Sequence, residues 1–506
     1  MRWDIIIPLA LYLIILIGIA AWAFNQRQAV EVGGKSAEYY IAGRSLGWFL
    51  LVFTLLASAA SAGTYIGGPG FGYEWGYGWV LAAMAQVPAT LLVLGVLGKK
   101  FAIVARKLNA LTLTDFLRHR YESHAVVILA SVGIVASLMV YMSAQFVGGA
   151  RILEAITGVP YIWVIIIFAG MVAFYTSVGG FRADTLSDAV QGVIMLLGGV
   201  ILWIAVLSTT GGMTDVTGEL RERHPDLLTL PGAGDFTILL LFSFFVVFGL
   251  VPAALPHLTV RAMSYRDTAS VHKAIYIGPI IMAIFTLGFI GMGPVARVFY
   301  PELAVGDLAV PKMMMDVLPG LVAGALFAAP MAAIMSTVDS MILVVSSAII
   351  RDLYMNYFNP RLPDASASRL GSWTSLTLGV IVVLISLRPP QLLEYLILFA
   401  IGGLASTLFI PLVAGLYWKR ANATAAVLGM VGGMGGYVFF RVFVPDLPID
   451  PLPISLVISG ALYLVGAYLG PPPRREVLVK FWGTQEEIDR IVGVEAPQVG
   501  GMARRT

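Results

Sequence analysis

The chain has 506 residues, 58% of them hydrophobic and only 12% charged, with a formal net charge of +3 and a mean hydropathy of +0.87. Soluble domains carry about 25% charged residues, so no soluble fold could hide this much apolar surface from water. Cysteine is absent, and the histidines at 119, 124, 224, 257 and 272 show no metal-ligand spacing. That excludes disulfides, thiol catalysis, thiolate-bound zinc and iron–sulfur clusters.

Apolar runs near 20 residues recur along the chain, the length a helix needs to cross a hydrocarbon core of ~30 Å. They are continuous, unlike the short alternating segments of a membrane β-barrel. Candidate spans fall at about 4–24, 47–71, 77–98, 124–150, 159–178, 184–207, 236–256, 273–295, 320–350, 369–387, 392–417, 423–441 and 452–470. The reading is an all-α polytopic membrane protein of about thirteen helices. It has one transmembrane domain over 1–470 and a short tail over 471–506. The tail opens on Pro471-Pro472-Pro473-Arg474-Arg475, and its 486–491 stretch reads as a short amphipathic helix. Neither the tail nor the polar, Gly-rich loop at about 208–235 is long enough for a further domain. A chain lying almost wholly in the bilayer is expected to move something across it.

Ala21-Trp22-Ala23 resembles a signal-peptide cleavage site, and the charges test that reading. With the N-terminus outside and all thirteen helices spanning, 24 of the 32 Lys and Arg fall on the inner side, Arg261 among them. Removing the first helix would flip every later loop and place the excess outside, against the positive-inside rule. The first helix is therefore expected to stay, with the C-terminus in the cytoplasm.

The second span reads Ala57-Ser58-Ala59-Ala60-Ser61-Ala62-Gly63-Thr64, followed by Gly67-Gly68-Pro69-Gly70. Small polar residues running into Gly and Pro make a poor continuous helix. The seventh span carries Pro252 and Pro256 near its middle. The two interrupted spans lie five helices apart, so consecutive five-helix units, about 47–207 and 236–417, run in opposite senses. Matching interruptions in two inverted halves point to a transporter site. Gly and Pro also kink packed helices without any such role; two breaks in register favour the site. A break frees carbonyls that can serve a hard cation such as sodium.

In the ninth span Ala333, Ser336, Thr337 and Ser340 recur at i, i+3, i+4 and i+7, one stripe of a helix. Two hydroxyls beside a carbonyl suit a weakly held monovalent ion. The plain alternative is that each hydroxyl bonds the carbonyl four residues back. Asp339 sits mid-span, where a carboxylate is expensive and functional by default. Asp188, with Ser187, lies a turn inside the sixth span; if it approaches Asp339, the two could hold a second cation or share a proton. Arg151 and Glu154 read as an i, i+3 ion pair. His257 reads as a structural or gating residue.

Gly179-Gly180-Phe181-Arg182-Ala183, the following Asp188, Ala333-Ile334-Met335-Ser336-Thr337, Gly148-Gly149-Ala150-Arg151, and Pro256-His257 with Arg261 resemble the sodium:solute symporter family. Ile66-Gly67-Gly68-Pro69-Gly70, Leu97-Gly98-Lys99-Lys100-Phe101-Ala102-Ile103, Gln145-Phe146-Val147-Gly148, Ala329-Pro330-Met331-Ala332-Ala333, Arg351-Asp352-Leu353-Tyr354 and Gly415-Leu416-Tyr417-Trp418 are similar to its pantothenate-carrying members. The resemblance runs from about residue 5 to 470.

It implies a leucine-transporter-type inverted-repeat fold with one helix before the core and two after it, working by alternating access in a bacterial inner membrane. It implies a sodium site formed by the carbonyls of Ala57, Ala60 and Ala333 and the hydroxyls of Ser336 and Thr337. A second site, present in some members, falls here on Asp188, Ser336, Asp339 and Ser340. Asp339 stands where a serine is expected, which leaves sodium, a proton or nothing open for that site. Proline-carrying members have an Asp where this chain has Ala59, which counts against proline. Ser61, Thr64, Gln86, Tyr141 and Gln145, the polar groups facing the break, are the expected solute contacts. The implied partners are sodium, pantothenate or a similar small carboxylate, and lipid, with no nucleic acid. Another monocarboxylate, an amino acid or a sugar stays open as the solute. A membrane sensor is disfavoured by the short tail, and an enzyme by the lack of a nucleophile triad.

Overall fold

A computed structural model describes residues 2–29, 45–388 and 393–483, without the side chains at 17, 19–29, 175, 178–183 and 364–365. The expected helix at 486–491 lies outside the described residues, as does the side chain of Arg182. Among the described residues the architecture is helical, and the sole strand-like pairing is a bridge between Leu46 and Tyr265.

Helix α1 is Trp3–Ala29. The first broken pair is α2, Trp48–Ala59, and α3, Gly63–Trp75, which meet at a bend of 64°. Helix α4 is Tyr77–Lys107, α5 is the short Leu113–Tyr121, and α6 is His124–Thr157. Helix α7, Tyr161–Thr210, runs for 50 residues. At ~75 Å it is far too long for one passage of a ~30 Å core. The fifth and sixth expected spans both lie in it, as apolar stretches Tyr161–Phe174 and Asp184–Thr210. The second broken pair is α8, Ile238–Ala254, and α9, Pro256–Met263, bent by 50°. Then come α10, Thr268–Phe299, and α11, Gly320–Met355. They are followed by α12, Asp364–Ser386, α13, Leu393–Tyr417, α14, Ala423–Phe443, α15, Pro451–Leu469, and α16, Arg475–Trp482.

Nine of the described helices are long and apolar enough to cross a membrane, and the two broken pairs bring the number to eleven. Trp3–Leu16 and Tyr161–Phe174 are apolar but shorter, which accounts for the distance from the thirteen expected spans. The chain is a multi-pass membrane protein. Its buried centre is α11, where 83% of the apolar window is buried, against 33% in α14 and α15. Lipid-facing helices keep apolar residues outside; buried ones can carry hydroxyls and carboxylates because neighbours satisfy them.

The breaks follow from local chemistry. At the first, Ala60 turns extended (φ −77°, ψ 124°) and ends α2. The N–H groups that α3 leaves unpaired find side chains. Ser61 Oγ accepts from Gly63 N at 3.1 Å, Thr64 Oγ1 accepts from Ser61 N at 3.2 Å, and Gln145 Oε1 accepts from Ala62 N at 2.8 Å. At the second, Leu255 is extended (ψ 115°) and Pro256, which lacks an N–H, starts α9.

Candidate functional site

The first break lies against α11, and the five oxygens expected to hold sodium come together there. Ser336 Oγ is 2.9 Å from Ala57 O and 3.1 Å from Ala333 O. Thr337 Oγ1 is 3.0 Å from Ala60 O and 2.8 Å from Ala333 O. All five residues are fully buried. The plain alternative for the hydroxyls also holds: Ser336, Thr337 and Ser340 each stand 2.6–2.8 Å from their i−4 carbonyls, Ala332 O, Ala333 O and Ser336 O. Each hydroxyl has three carbonyl oxygens within reach, Thr337 Oγ1 counting Ser58 O at 3.5 Å, but only one proton to give. At least four of these six contacts therefore bring lone pairs together with no hydrogen between them. A cation relieves that crowding. Sodium is close in size to calcium, whose ligand oxygens stand at ~2.3–2.6 Å. Oxygens at right angles around such an ion lie roughly 3.4 Å apart, so the observed edges of 2.8–3.1 Å would open by about 0.3–0.6 Å to admit one.

The second expected set does not assemble as a cation cage. Asp188 and Ser340 meet, but across the guanidinium of Arg261. Arg261 Nη2 donates to Asp188 Oδ2 at 2.6 Å, to Ser340 Oγ at 2.6 Å and to Asp184 Oδ2 at 2.9 Å. Asp339 accepts instead from Thr176 Oγ1 on α7. Arg261, counted from the sequence among the charges at the inner surface, is fully buried. Its buried carboxylate partners explain why: a charge inside the bundle survives only when paired.

A cavity lies between the two breaks, lined from both broken helices and from α4, α6, α10 and α13. Ser61, Thr64, Gln86 and Tyr141 line it as expected. Tyr141 donates to Ser61 Oγ at 3.3 Å. Gln145 does not line it. Its amide oxygen is committed to Ala62 N, so its observed work is to cap the broken helix. His257 and Glu394 do line it, both buried. Neither ring nitrogen of His257 has a hydrogen-bond partner, nor has Glu394 Oε2. No Lys or Arg is among the described lining residues. The rest of the wall is apolar, including Leu55, Val93, Phe248, Val251, Ile290 and Ile397.

Glu394 was missed in the sequence, although a lone acid one residue into an apolar span is the same signal that drew attention to Asp339. It rests on α3, where a Cβ built on Gly67 would stand 2.5 Å from its Oε2. Beside it, Asp307 in the connection between α10 and α11 accepts from Arg151 Nη1 at 3.0 Å and from Leu393 N at 3.1 Å. Burial pushes the Asp307 carboxyl up to about 6, although the Leu393 N–H and Arg151 pull the other way. Arg151 thus reaches Asp307, while its expected partner Glu154 accepts from Tyr161 N at 2.9 Å.

Two helices broken at corresponding places, with a crowded oxygen cage at one break and a cavity between them, define a membrane carrier. Residues 39–433 match the model of the Sodium:solute symporter family. The chain is 42% identical over 475 residues to the sodium/pantothenate symporter of Escherichia coli (strain K12), covering 93% of this chain and 97% of that one. It is 38% identical to the sodium/pantothenate symporter of Haemophilus influenzae, with the same coverage of each. A sodium-coupled sialic acid symporter, solved substrate-bound and outward-open, shares the fold with a TM-score of 0.78 at 17% identity, covering 92% of this chain and 98% of that one. The chain belongs to the sodium:solute symporter family, and its fold is the leucine-transporter type of its structural neighbours.

Proposed function

We propose that this protein is a symporter that couples inward sodium flow to the uptake of pantothenate, or a closely similar small carboxylate. The observation that carries the reading is the oxygen cage of Ala57, Ala60, Ala333, Ser336 and Thr337, crowded beyond what two hydroxyl protons can satisfy. Sodium bound there would pin α11 to the break in α2 and α3, which also forms one wall of the cavity. Ion and solute then each bind better with the other present. Near-full-length similarity to two sodium/pantothenate symporters supports the solute. So does the cavity. Pantothenate offers two hydroxyls, an amide and a carboxylate around a geminal dimethyl carbon, and the wall offers a few polar groups on an apolar surface.

The inverted repeats are proposed at about 47–207 and 236–417, with the N-terminus outside and the C-terminus in the cytoplasm. The cysteine-free chain makes orientation directly readable by labelling single introduced cysteines from either side. Function is tested by uptake of labelled pantothenate into proteoliposomes. Accumulation driven by an inward sodium gradient, and absent with an equal potassium gradient, is expected. Sodium-driven uptake of some other solute that ignores excess pantothenate would remove the substrate while keeping the symporter.

A further inference from the structure

Building on the reading of the solute as a small carboxylate, we propose that Glu394 is a specificity-determining residue of the cavity. It stands there as the neutral acid and donates its hydrogen to the carboxylate of the solute.

Glu394 is the second residue of α13, and it is buried against the cavity. The first broken helix makes room for it: a Cβ built on Gly63 or on Gly67 would stand 2.9 or 2.5 Å from its Oε2. That oxygen has no hydrogen-bond partner. The charge of Arg151 is matched by Asp307, whose Oδ2 accepts from Arg151 Nη1 at 3.0 Å and from Leu393 N at 3.1 Å. Asp307 lies on the same face of α3, its Oδ1 2.8 Å from a Cβ built on Gly70. A second ionised acid beside it would meet a like charge. His257 has no partner on either ring nitrogen, so no hydrogen bond joins it to Glu394. Passing the proton to that ring would leave two separate buried ions. The partial positive charge at the N-terminus of α13 returns far less than burying an unpaired carboxylate costs. Glu394 therefore keeps its proton, as a carboxylic acid in an apolar site does at neutral pH.

A neutral acid is what a carboxylate solute needs here. None of the described lining residues is Lys or Arg. Two hydroxyls of the wall have their hydrogens engaged, Tyr141 with Ser61 Oγ at 3.3 Å and Thr90 with Val87 O at 2.7 Å. An ionised Glu394 about 4 Å from the solute carboxylate would weaken binding roughly a thousand-fold. The same group protonated supplies a charge-assisted hydrogen bond. The two carboxyl groups then share one hydrogen and one negative charge.

Equilibrium binding of labelled pantothenate in sodium compares the purified wild-type protein with E394M and E394Q. E394M, apolar and of similar length, should bind roughly 10- to 150-fold more weakly, the worth of a hydrogen bond to a charge. E394Q, which keeps a donor and adds no charge, should recover most of that loss. Infrared spectra at neutral pH should show a protonated-carboxyl band in the wild-type protein that shifts when pantothenate binds and is missing from E394Q. A folded E394Q as weak as E394M would overturn the proposal. So would an E394Q that binds about a hundred-fold or more tighter than wild type, the mark of a repelling charge removed. If neither variant folds, the wild-type spectrum decides, and the lack of a protonated-carboxyl band that shifts with solute would overturn the proposal. Wild-type protein that binds no pantothenate would remove the solute reading, and the infrared difference from E394Q would still decide whether Glu394 is protonated.

Discussion

Replacing Ser336 by alanine removes one oxygen of five from the proposed sodium cage and little else. The side chain is fully buried, and its hydroxyl touches Ala57 O, Ala332 O and Ala333 O at 2.8–3.1 Å. None of those carbonyls depends on it for register, since each belongs to a helix held by many other contacts. The fold should therefore lose about 1 kcal/mol, the worth of an ordinary buried hydrogen bond. Contact with a charge is worth more, about 1.5–3 kcal/mol, which corresponds to a roughly 10- to 150-fold rise in the sodium concentration for half-activation. Solute affinity at saturating sodium should barely move, because Ser336 does not line the cavity. The assay is pantothenate uptake against sodium concentration, with thermal unfolding in high and low sodium as a second reading. Sodium at a hundred times its dissociation constant stabilises the folded state by about 2.7 kcal/mol, and that increment should shrink in the variant. An unmoved activation curve in well-folded Ser336→Ala would show that the cage is not the sodium site.

Gln145→Leu should lower thermal stability by about 1–3 kcal/mol by leaving Ala62 N unpaired, while the pattern of competing solutes stays the same; an altered solute preference would return Gln145 to the binding site. Gly67→Ala should lower transport, because its Cβ would displace Glu394 Oε2, 2.5 Å away, and press on Glu394 Cβ and N at 3.1 and 3.2 Å; normal uptake would mean that this contact is free to open. His257→Leu removes from the cavity wall a ring whose two nitrogens have no partner in the protein and should weaken pantothenate binding about ten-fold, read by competition; unchanged affinity would remove His257 from the solute site. Asp307 titrates at about 6 when folded and at 3.8 as a free side chain, so the folded state is the better proton binder. The stability it contributes is present at low pH, falls between about pH 4 and 6 and is level above, by up to about 3 kcal/mol. The thermal midpoint of the wild-type protein should fall relative to that of Asp307→Asn as pH rises from about 4 to 6 and run level with it above; parallel curves across that range, or a wild-type midpoint that rises, would contradict the assignment.

Much of this site was legible because its signals are local. Gly, Pro and small polar residues disrupt a helix wherever they occur, so both breaks could be placed from composition alone. The stripe through Ala333, Ser336 and Thr337 needed only helical periodicity. What escaped depended on partners far away in sequence. Arg261 looks like one more basic residue after a span until Asp184 and Asp188, 77 and 73 positions earlier, are brought against it. Gln145 carries a side chain equally suited to a ligand and to a cap, and only the 83-residue separation from Ala62 being closed decides. Asp339 and Asp188 share a bundle, yet which neighbour each faces is set by the rotation of α7 and α11, to which a periodic pattern is blind. Glu394 needed the absence of side chains at Gly63 and Gly67 to be buried where it is.

The central claim is that an ion at the first break and a solute in the cavity are energetically linked. Equilibrium binding of labelled pantothenate to purified protein in sodium and in an equal concentration of potassium tests that link without membranes or gradients. Tighter binding in sodium, with sodium affinity raised by the same factor when pantothenate is present, is the result expected. Equal affinity in the two salts would contradict it.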